Sequence, residues 1–359
     1  MTETMKAIVW YGEGEGKLEL RDVPIPQTGD DDILLEVKAA GICGSDLNIY
    51  SGAAYPPKHS LPMIPGHEFA GIIAKMGKNV DKYWKVGDRV ISENTGYACG
   101  RCPSCSAGNY VNCADRECIG YTMDGAFTKY VRIPGEILKI YPNTLLRLPD
   151  SIGFNEAPCL EAAANSYKAL IQEANFRSGE SVVVFGPGSL GLMAVQHAKV
   201  AGAVNIIMVG LEKDKKVRFE IAKQFGATHC FAMEDERDIV KTIKEIVGSN
   251  GVAVTLDVVG APSVTSLAIE VVRNEGTVIF IGSAFKKYEH TLMPISVKSI
   301  TFRGHIGYNA ESWRNTIALT DAGLFDLKGL VTATLPLEDF KNGYEMMKNQ
   351  EAGKIILIP

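Results

Sequence analysis

The sequence predicts an α/β protein in two parts, a mostly β portion followed by a doubly wound parallel sheet, and three observations carry that prediction. The rhythm changes near Glu156, from short strand-like runs joined by Gly and Pro turns to an alternation of helical and strand-like runs. The apolar run Val182-Val183-Val184-Phe185 passes directly into a Gly-rich turn and then an apolar helix. At 359 residues the chain also exceeds the usual size of one hydrophobic core, so two domains are expected.

In order, residues 6–11 and the alternating 33–39 read as strands, and Val86-Gly87-Asp88-Arg89-Val90 as a turn. From Glu156 a helical stretch runs to Ala174, then a strand over 181–185 and a helix over 190–201. A strand at 205–209 and helical patterns over 213–225 and 239–247 follow, with strands at 254–258 and 276–281. Such alternation is the pattern of βαβ units on a parallel sheet. Beyond Pro294 the strand-like runs 300–304 and 354–358 flank a helical pattern over 313–322, and this tail is expected to rejoin the first domain. The expected domains are therefore 1–155, 156–294 and the returning 295–359.

The formal charge of -5, from 37 basic and 42 acidic residues, supplies no basic footprint, so nucleic acid is not an expected partner. No run approaches the eighteen or so apolar residues of a membrane span, so no membrane partner is expected either. The first ten residues lack the layout of a signal peptide, and a cytoplasmic protein is expected. No internal repeat or low-complexity segment is visible.

Gly186-Pro187-Gly188-Ser189-Leu190-Gly191 is GxGxxG in the context that gives it meaning, after an apolar strand and before a helix. The first glycine permits the tight turn, the second lets backbone approach a pyrophosphate, and the third lets helix pack on strand. Gly186, Gly188, Ser189, Leu190 and Gly191 are the expected cofactor contacts. The acidic residue that normally follows about 20 positions on is displaced: Gly210 stands there, and Glu212 lies two residues later. Glu212 would repel a 2′-phosphate, whereas Lys213, Lys215, Lys216 or Arg218 could hold one. NAD is favoured over NADP.

Four of the eight cysteines, Cys99, Cys102, Cys105 and Cys113, fall within fifteen residues. Two-residue spacers let one turn wrap three thiolates around an ion while the fourth closes the shell, which suits a tetrahedral zinc with no open position. A structural zinc lobe over 93–118 is expected. A second, sparser set comprises Cys43 in Gly41-Ile42-Cys43-Gly44-Ser45-Asp46 and His67-Glu68 in Pro65-Gly66-His67-Glu68.

These motifs, taken with Gly87-Asp88-Arg89-Val90, the cysteine lobe and the glycine turn in that order, resemble the zinc-containing medium-chain dehydrogenase/reductase family, closest to its polyol and threonine dehydrogenase branch. The resemblance covers essentially the whole chain. It implies a GroES-like catalytic domain, an inserted Rossmann domain and a second, catalytic zinc, giving two per subunit. Carried over by motif, Cys43 and His67 would be zinc ligands and Glu68 an additional or exchanging one. The third protein ligand would be Glu161, in Leu160-Glu161-Ala162-Ala163-Ala164-Asn165, with Cys159 as the competing candidate. Ser45 resembles the family's relay hydroxyl, and Asp46 would steady the His67 ring.

The implied reaction is hydride transfer between a secondary alcohol or polyol and a nicotinamide dinucleotide, by an enzyme acting on CH-OH donors. Two departures stand out. Asn48 occupies the place where many relatives carry a proton-relaying His, with His59 a conceivable substitute, and Gly307 replaces an Arg found before Tyr308 in some polyol enzymes. Tyr50, Asn165, His305 and Tyr308 remain as substrate-pocket candidates. A threonine-type amino alcohol 3-dehydrogenase and a non-catalytic zinc and NAD(P) binding protein are the alternatives. Relatives suggest a homodimer or homotetramer.

Overall fold

The structure, a computed structural model, describes residues 3–12, 14–52, 61–282, 287–289 and 291–359. His59 lies outside them. The chain divides into two compact units: Met1–Glu161 with Asn309–Glu311 and Val331–Pro359, and Ala162–Tyr308 with Ser312–Leu330.

The first unit is built on a seven-stranded sheet. Its path runs Val331–Pro336, Lys354–Ile358, Ile33–Gly41, Glu68–Met76, Arg89–Ser92, Leu145–Arg147, with Tyr130–Ile133 also pairing with Ile33–Gly41. Period-two side chains from these strands, among them Ile33, Leu35, Val37, Phe69, Ile73 and Val131, interlock in one buried cluster with Ile355 and Leu357 of the last strand. Register brings distant residues side by side. Gly41 pairs with Glu68 on one side and Ile356 on the other, which sets Lys354 beside the same strand end. A short helix, Gly44–Tyr50, starts directly after Cys43, and a two-stranded ladder joins Thr95–Tyr97 to Glu117–Cys118.

The second unit carries six parallel strands in the order His229–Ala232, Asn205–Gly210, Ser181–Phe185, Val252–Asp257, Val272–Phe280, Thr301–Gly304. The order reverses between Ser181–Phe185 and Val252–Asp257, the place where doubly wound sheets take their ligands. The helices Ser189–Val200, Arg218–Phe225, Ile239–Val247 and Pro262–Val271 connect these strands.

Two sequence expectations differ from this arrangement. The boundary at 294 is too early: Thr301–Gly304 pairs in parallel with Val272–Phe280, so it completes the second unit, as does most of the helix Ala310–Asp321, and only Val331–Pro359 rejoins the first. All four residues of that strand are exposed, so no burial pattern marked its sheet. The short strand His229–Ala232 was not anticipated, because its four residues are mostly half-buried and show no alternation.

Candidate active site

Cys43, His67 and Glu68 come together in the first unit, with Sγ, an imidazole nitrogen and a carboxylate oxygen all within 4.8 Å of one another. Local geometry explains the placement. Cys43 caps the helix Gly44–Tyr50, and its backbone N–H donates to Asp46 Oδ2 at 2.8 Å. Gly66 takes φ 99°, and a Cβ there would stand 2.6 Å from the Phe127 ring, so the turn into His67 needs glycine. Gly41 is needed for a different reason: its Cβ would meet Glu68 Oε2 at 2.5 Å.

His67 is 2% exposed. Its Nδ1 lies 3.6 Å from Asp46 Oδ1, and its Nε2 lies 3.2 Å from the Tyr121 hydroxyl. Burial works to lower the His67 pKa, yet the Asp46 carboxylate and then Cys43 outweigh it and hold it well above its usual value. Ser45 Oγ is 2.5 Å from the same Tyr121 hydroxyl. Burial holds the Tyr121 phenol well above its usual pKa, so it stays protonated.

Glu68 is not a free carboxylate. The fully buried Lys354 ammonium donates to Oε1 at 2.9 Å and Oε2 at 2.6 Å, and also to Ile42 O at 3.3 Å. Burial works to lower the lysine's pKa, yet the Glu68 charge, followed by Cys43 and Cys159, together outweigh it and raise it, so the ammonium stays charged. Glu161 falls outside the 4.8 Å set but close enough to feel it: burial first, then the Glu68 charge, raises its pKa to about 7. Cys159 is fully buried and also outside the set.

Cys99, Cys102, Cys105 and Cys113 place their four sulfurs within 4.8 Å. Pro103–Ser106 forms a single helical turn capped by Cys102, whose sulfur accepts from Cys105 N. Backbone N–H groups of Arg101 and Cys102 lower the Cys99 pKa to about 6, whereas burial pushes Cys105 up to about 12. Tyr141 and Ile137 pack beneath the lobe.

In the second unit the glycine turn meets three separate demands. Gly186 adopts φ 102°; a Cβ at Gly191 would stand 2.0 Å from Gly186 O; and nothing lies within 4 Å of a Cβ at Gly188, which caps the helix beginning at Ser189 and Leu190. Glu212 is exposed beyond Gly210 and pairs with Lys215 at 2.6 Å. Arg218, expected among the cofactor contacts, is 8% exposed and pairs with Asp214 Oδ1 at 3.5 Å, at the start of a helix whose inner face is buried.

Comparison with known proteins agrees with this geometry. The family model for the alcohol dehydrogenase GroES-like domain matches residues 29–143, and that for zinc-binding dehydrogenases matches 189–322. The chain is 38% identical over 359 residues to YdjL, an uncharacterized zinc-type alcohol dehydrogenase-like protein of Escherichia coli (strain K12), covering 98% of each chain. The chain belongs to the zinc-type medium-chain alcohol dehydrogenase family. A further relative of the dehydrogenase is an L-threonine 3-dehydrogenase of Bacillus velezensis, 32% identical with 99% of each chain covered. Among solved structures, 2R,3R-butanediol dehydrogenase from Bacillus subtilis superposes with a TM-score of 0.87 at 28% identity over 99% of each chain. The dehydrogenase is thus an oxidoreductase with a GroES-like and a Rossmann-type part.

The substrate candidates fare unevenly in this dehydrogenase. The Tyr50 ring lies 4.9 Å from the Tyr344 ring, so it packs between the helices Gly44–Tyr50 and Phe340–Lys348. Tyr308 is 3% exposed and packs edge-on to Trp313, so it belongs to the core of the second unit. His305 spends both ring nitrogens locally, on Glu173 Oε2 at 2.5 Å and Asn165 Oδ1 at 2.6 Å. Sequence reasoning did not pick out Lys354 or Tyr121. Lys354 is a lone charge inside an otherwise apolar terminal strand, a readable signal, whereas nothing local marked Tyr121.

Proposed function

We propose that the dehydrogenase interconverts a secondary alcohol, of the polyol class, and its ketone with NAD, using a catalytic zinc at Cys43 and His67 and a structural zinc at Cys99, Cys102, Cys105 and Cys113. The convergence of Cys43, His67 and Glu68 within 4.8 Å carries the reading. A thiol, an imidazole and a carboxylate are the donors of a zinc that keeps a position open, whereas four thiols close the shell. Zinc held at the first set would supply Lewis-acid chemistry that eases loss of the alcohol proton, and a bound nicotinamide would supply the acceptor for the hydride.

The chain's own groups do the rest. Asp46 supports the His67 imidazole from its Nδ1 side, a common way to orient a metal-bound ring. Lys354 holds both Glu68 carboxylate oxygens, so Glu68 is an exchanging ligand only when it lets go of that lysine. Glu161, whose pKa burial and the Glu68 charge raise to about 7, is the third protein ligand of this reading. Ser45 would relay the alcohol proton, Oγ taking it as the serine's own hydroxyl proton passes on to water, with the Tyr121 hydroxyl steadying the side chain. NAD is supported by the exposed Glu212 and by the withdrawal of Arg218 into its pair with Asp214.

Self-association as a homodimer or homotetramer is part of the reading. Thr301–Gly304 is the last strand of its sheet and wholly exposed, with Phe302 40% exposed on it and Ile306 57% exposed just beyond its end, the kind of edge that pairs with another chain. A cytoplasmic location accords with four thiols that must stay reduced to bind metal. The test is absorbance at 340 nm with NAD and NADP, each against polyols, secondary alcohols and threonine. Turnover of polyols or secondary alcohols with NAD is expected; activity on threonine alone would move the substrate class, and silence with zinc bound would reject catalysis.

A further inference from the structure

The four-cysteine lobe is a loop whose two stems both end on His67. Before Cys99, the buried Asn94 adopts φ 60° and turns its Nδ2 toward His67 O at 3.5 Å. After Cys113, Arg116 donates its backbone N–H to Cys113 O at 3.1 Å. Its guanidinium then reaches across to the opposite stem, giving Nε to Thr95 Oγ1 at 3.1 Å and Nη2 to Asn94 Oδ1 at 2.8 Å. The second stem continues with Ile119 N donating to Asn94 O at 2.8 Å. One residue on, a Cβ at Gly120 would stand 2.4 Å from Gly66 O and 2.8 Å from His67 N, so this backbone lies directly against the backbone of the metal-ligating turn. Tyr121 completes the contact with its hydroxyl 3.2 Å from His67 Nε2.

His67 is therefore met at its carbonyl by Asn94 and backed at the turn that leads into it by the Gly120 backbone, both on chain that flanks the lobe. The guanidinium of Arg116 is the tie between the stems, because it bonds both Asn94 and Thr95 from the chain that leaves Cys113. We infer that Arg116 and Asn94 are positioning residues for His67, Asn94 facing its carbonyl and Arg116 holding Asn94 in place. The inference rests on the proposed metal reading of both clusters.

The test uses the full-length protein loaded with Zn²⁺ and follows release to an excess of a chromophoric chelator, the two release phases being assigned with Cys43→Ala and Cys102→Ser. Arg116→Gln is expected to speed release from the Cys43–His67 centre about tenfold, in the range usual for groups that orient a metal ligand. The thiolate phase should change less than about twofold, the circular dichroism should be unaltered, and Arg116→Lys should recover part of the loss, which a general loosening of the fold would not do. Asn94→Asp keeps an acceptor for Arg116 and replaces the amide donor facing His67 O with a carboxylate oxygen that repels it; it should act on the same phase, and it decides the matter alone if Arg116→Gln does not fold. Release from the centre within about twofold of wild type in the folded variants overturns the inference while leaving two metal sites standing. A wild-type protein that holds metal only at the four cysteines overturns the metal reading of the centre itself, and this inference with it.

Discussion

The four-cysteine lobe and the Cys43–His67 centre are both tight clusters of metal-ligating side chains in one unit, yet they are built in opposite ways. The lobe draws all its donors from one loop, with a helical turn and backbone N–H groups shaping it and a small apolar cluster beneath. The centre gathers residues from four remote stretches of chain around Cys43, His67, Glu161 and Lys354, and surrounds them with buried charge: Asp46, Glu68 and the Lys354 ammonium are each 0–1% exposed. A cluster made from one loop can hold an ion tightly with little help from the fold. A cluster made by strand register depends on the fold for each donor, and can therefore be tuned by residues that never touch the ion.

Paired cysteine substitutions should break the symmetry most strongly. Cys102→Ser is expected to remove the lobe's metal and with it several kcal/mol of metal-linked stability, against the roughly 10–16 kcal/mol typical of structural zinc peptides, read as a fall in the thermal midpoint and in zinc stoichiometry. Cys43→Ala should leave the fold standing and cut kcat/KM by about a thousandfold or more, about 4 kcal/mol of barrier, with dinucleotide binding unchanged. If the two phenotypes come out exchanged, the roles of the two clusters are exchanged.

Lys354→Met asks whether buried charge is what distinguishes the centre. It strands the Glu68 carboxylate without its partner, and unfolding by urea should register a loss of about 3–5 kcal/mol. Adding Glu68→Gln to it should restore a large part, whereas an equally unstable double variant would mean that Lys354 matters for packing alone.

Glu93 lies between the two regions, 1% exposed, and accepts a hydrogen bond from Tyr141 of the lobe's underside at 2.9 Å. Burial raises its pKa from 4.5 to about 7, with Arg116 opposing. Because the folded value is the higher one, the stability it contributes is complete below about pH 4.5 and is lost as pH rises through about 7. Relative to Glu93→Gln, the wild type should thus lose about 2–3 kcal/mol between about pH 5 and pH 8. Parallel pH profiles for the two proteins would show that Glu93 does not carry this dependence.

The smallest expected effect lies outside both clusters. Gly188 has φ -73° and open space before its Cβ, so Gly188→Asp should fold normally and weaken NAD binding by about 10- to 100-fold, through charge set against the pyrophosphate position. Fluorescence titration with NADH that gives the wild-type affinity would contradict the phosphate-loop reading.

How much could be read in advance follows the same division. Motifs whose residues are neighbours in sequence were legible in full: the four cysteines, the glycine turn, Cys43 with Ser45, and His67 with Glu68. The strands at the heart of the second sheet, such as Ser181–Phe185 and Asn205–Gly210, were legible because burial on both faces leaves continuous apolar runs. The exposed edge strand Thr301–Gly304 was assigned to the wrong part, since an edge has no burial to betray its sheet. Arg218 and Tyr308 were expected near ligands and face inward instead, because helix phase and core packing set side-chain direction, and a single residue letter carries neither.

The sequence by itself determined the α/β class, the two cysteine and histidine motifs and the dinucleotide turn, because each depends on spacings short enough for local geometry to enforce. Only the tertiary structure decided that Lys354 closes on Glu68, that Tyr121 meets both Ser45 and His67, and that Arg116 ties the lobe's stems to Asn94. Those contacts arise where separate strands and loops are brought into register, and their partners sit between 22 and 286 residues apart. Register is set by the summed packing of a whole core, which no local pattern records.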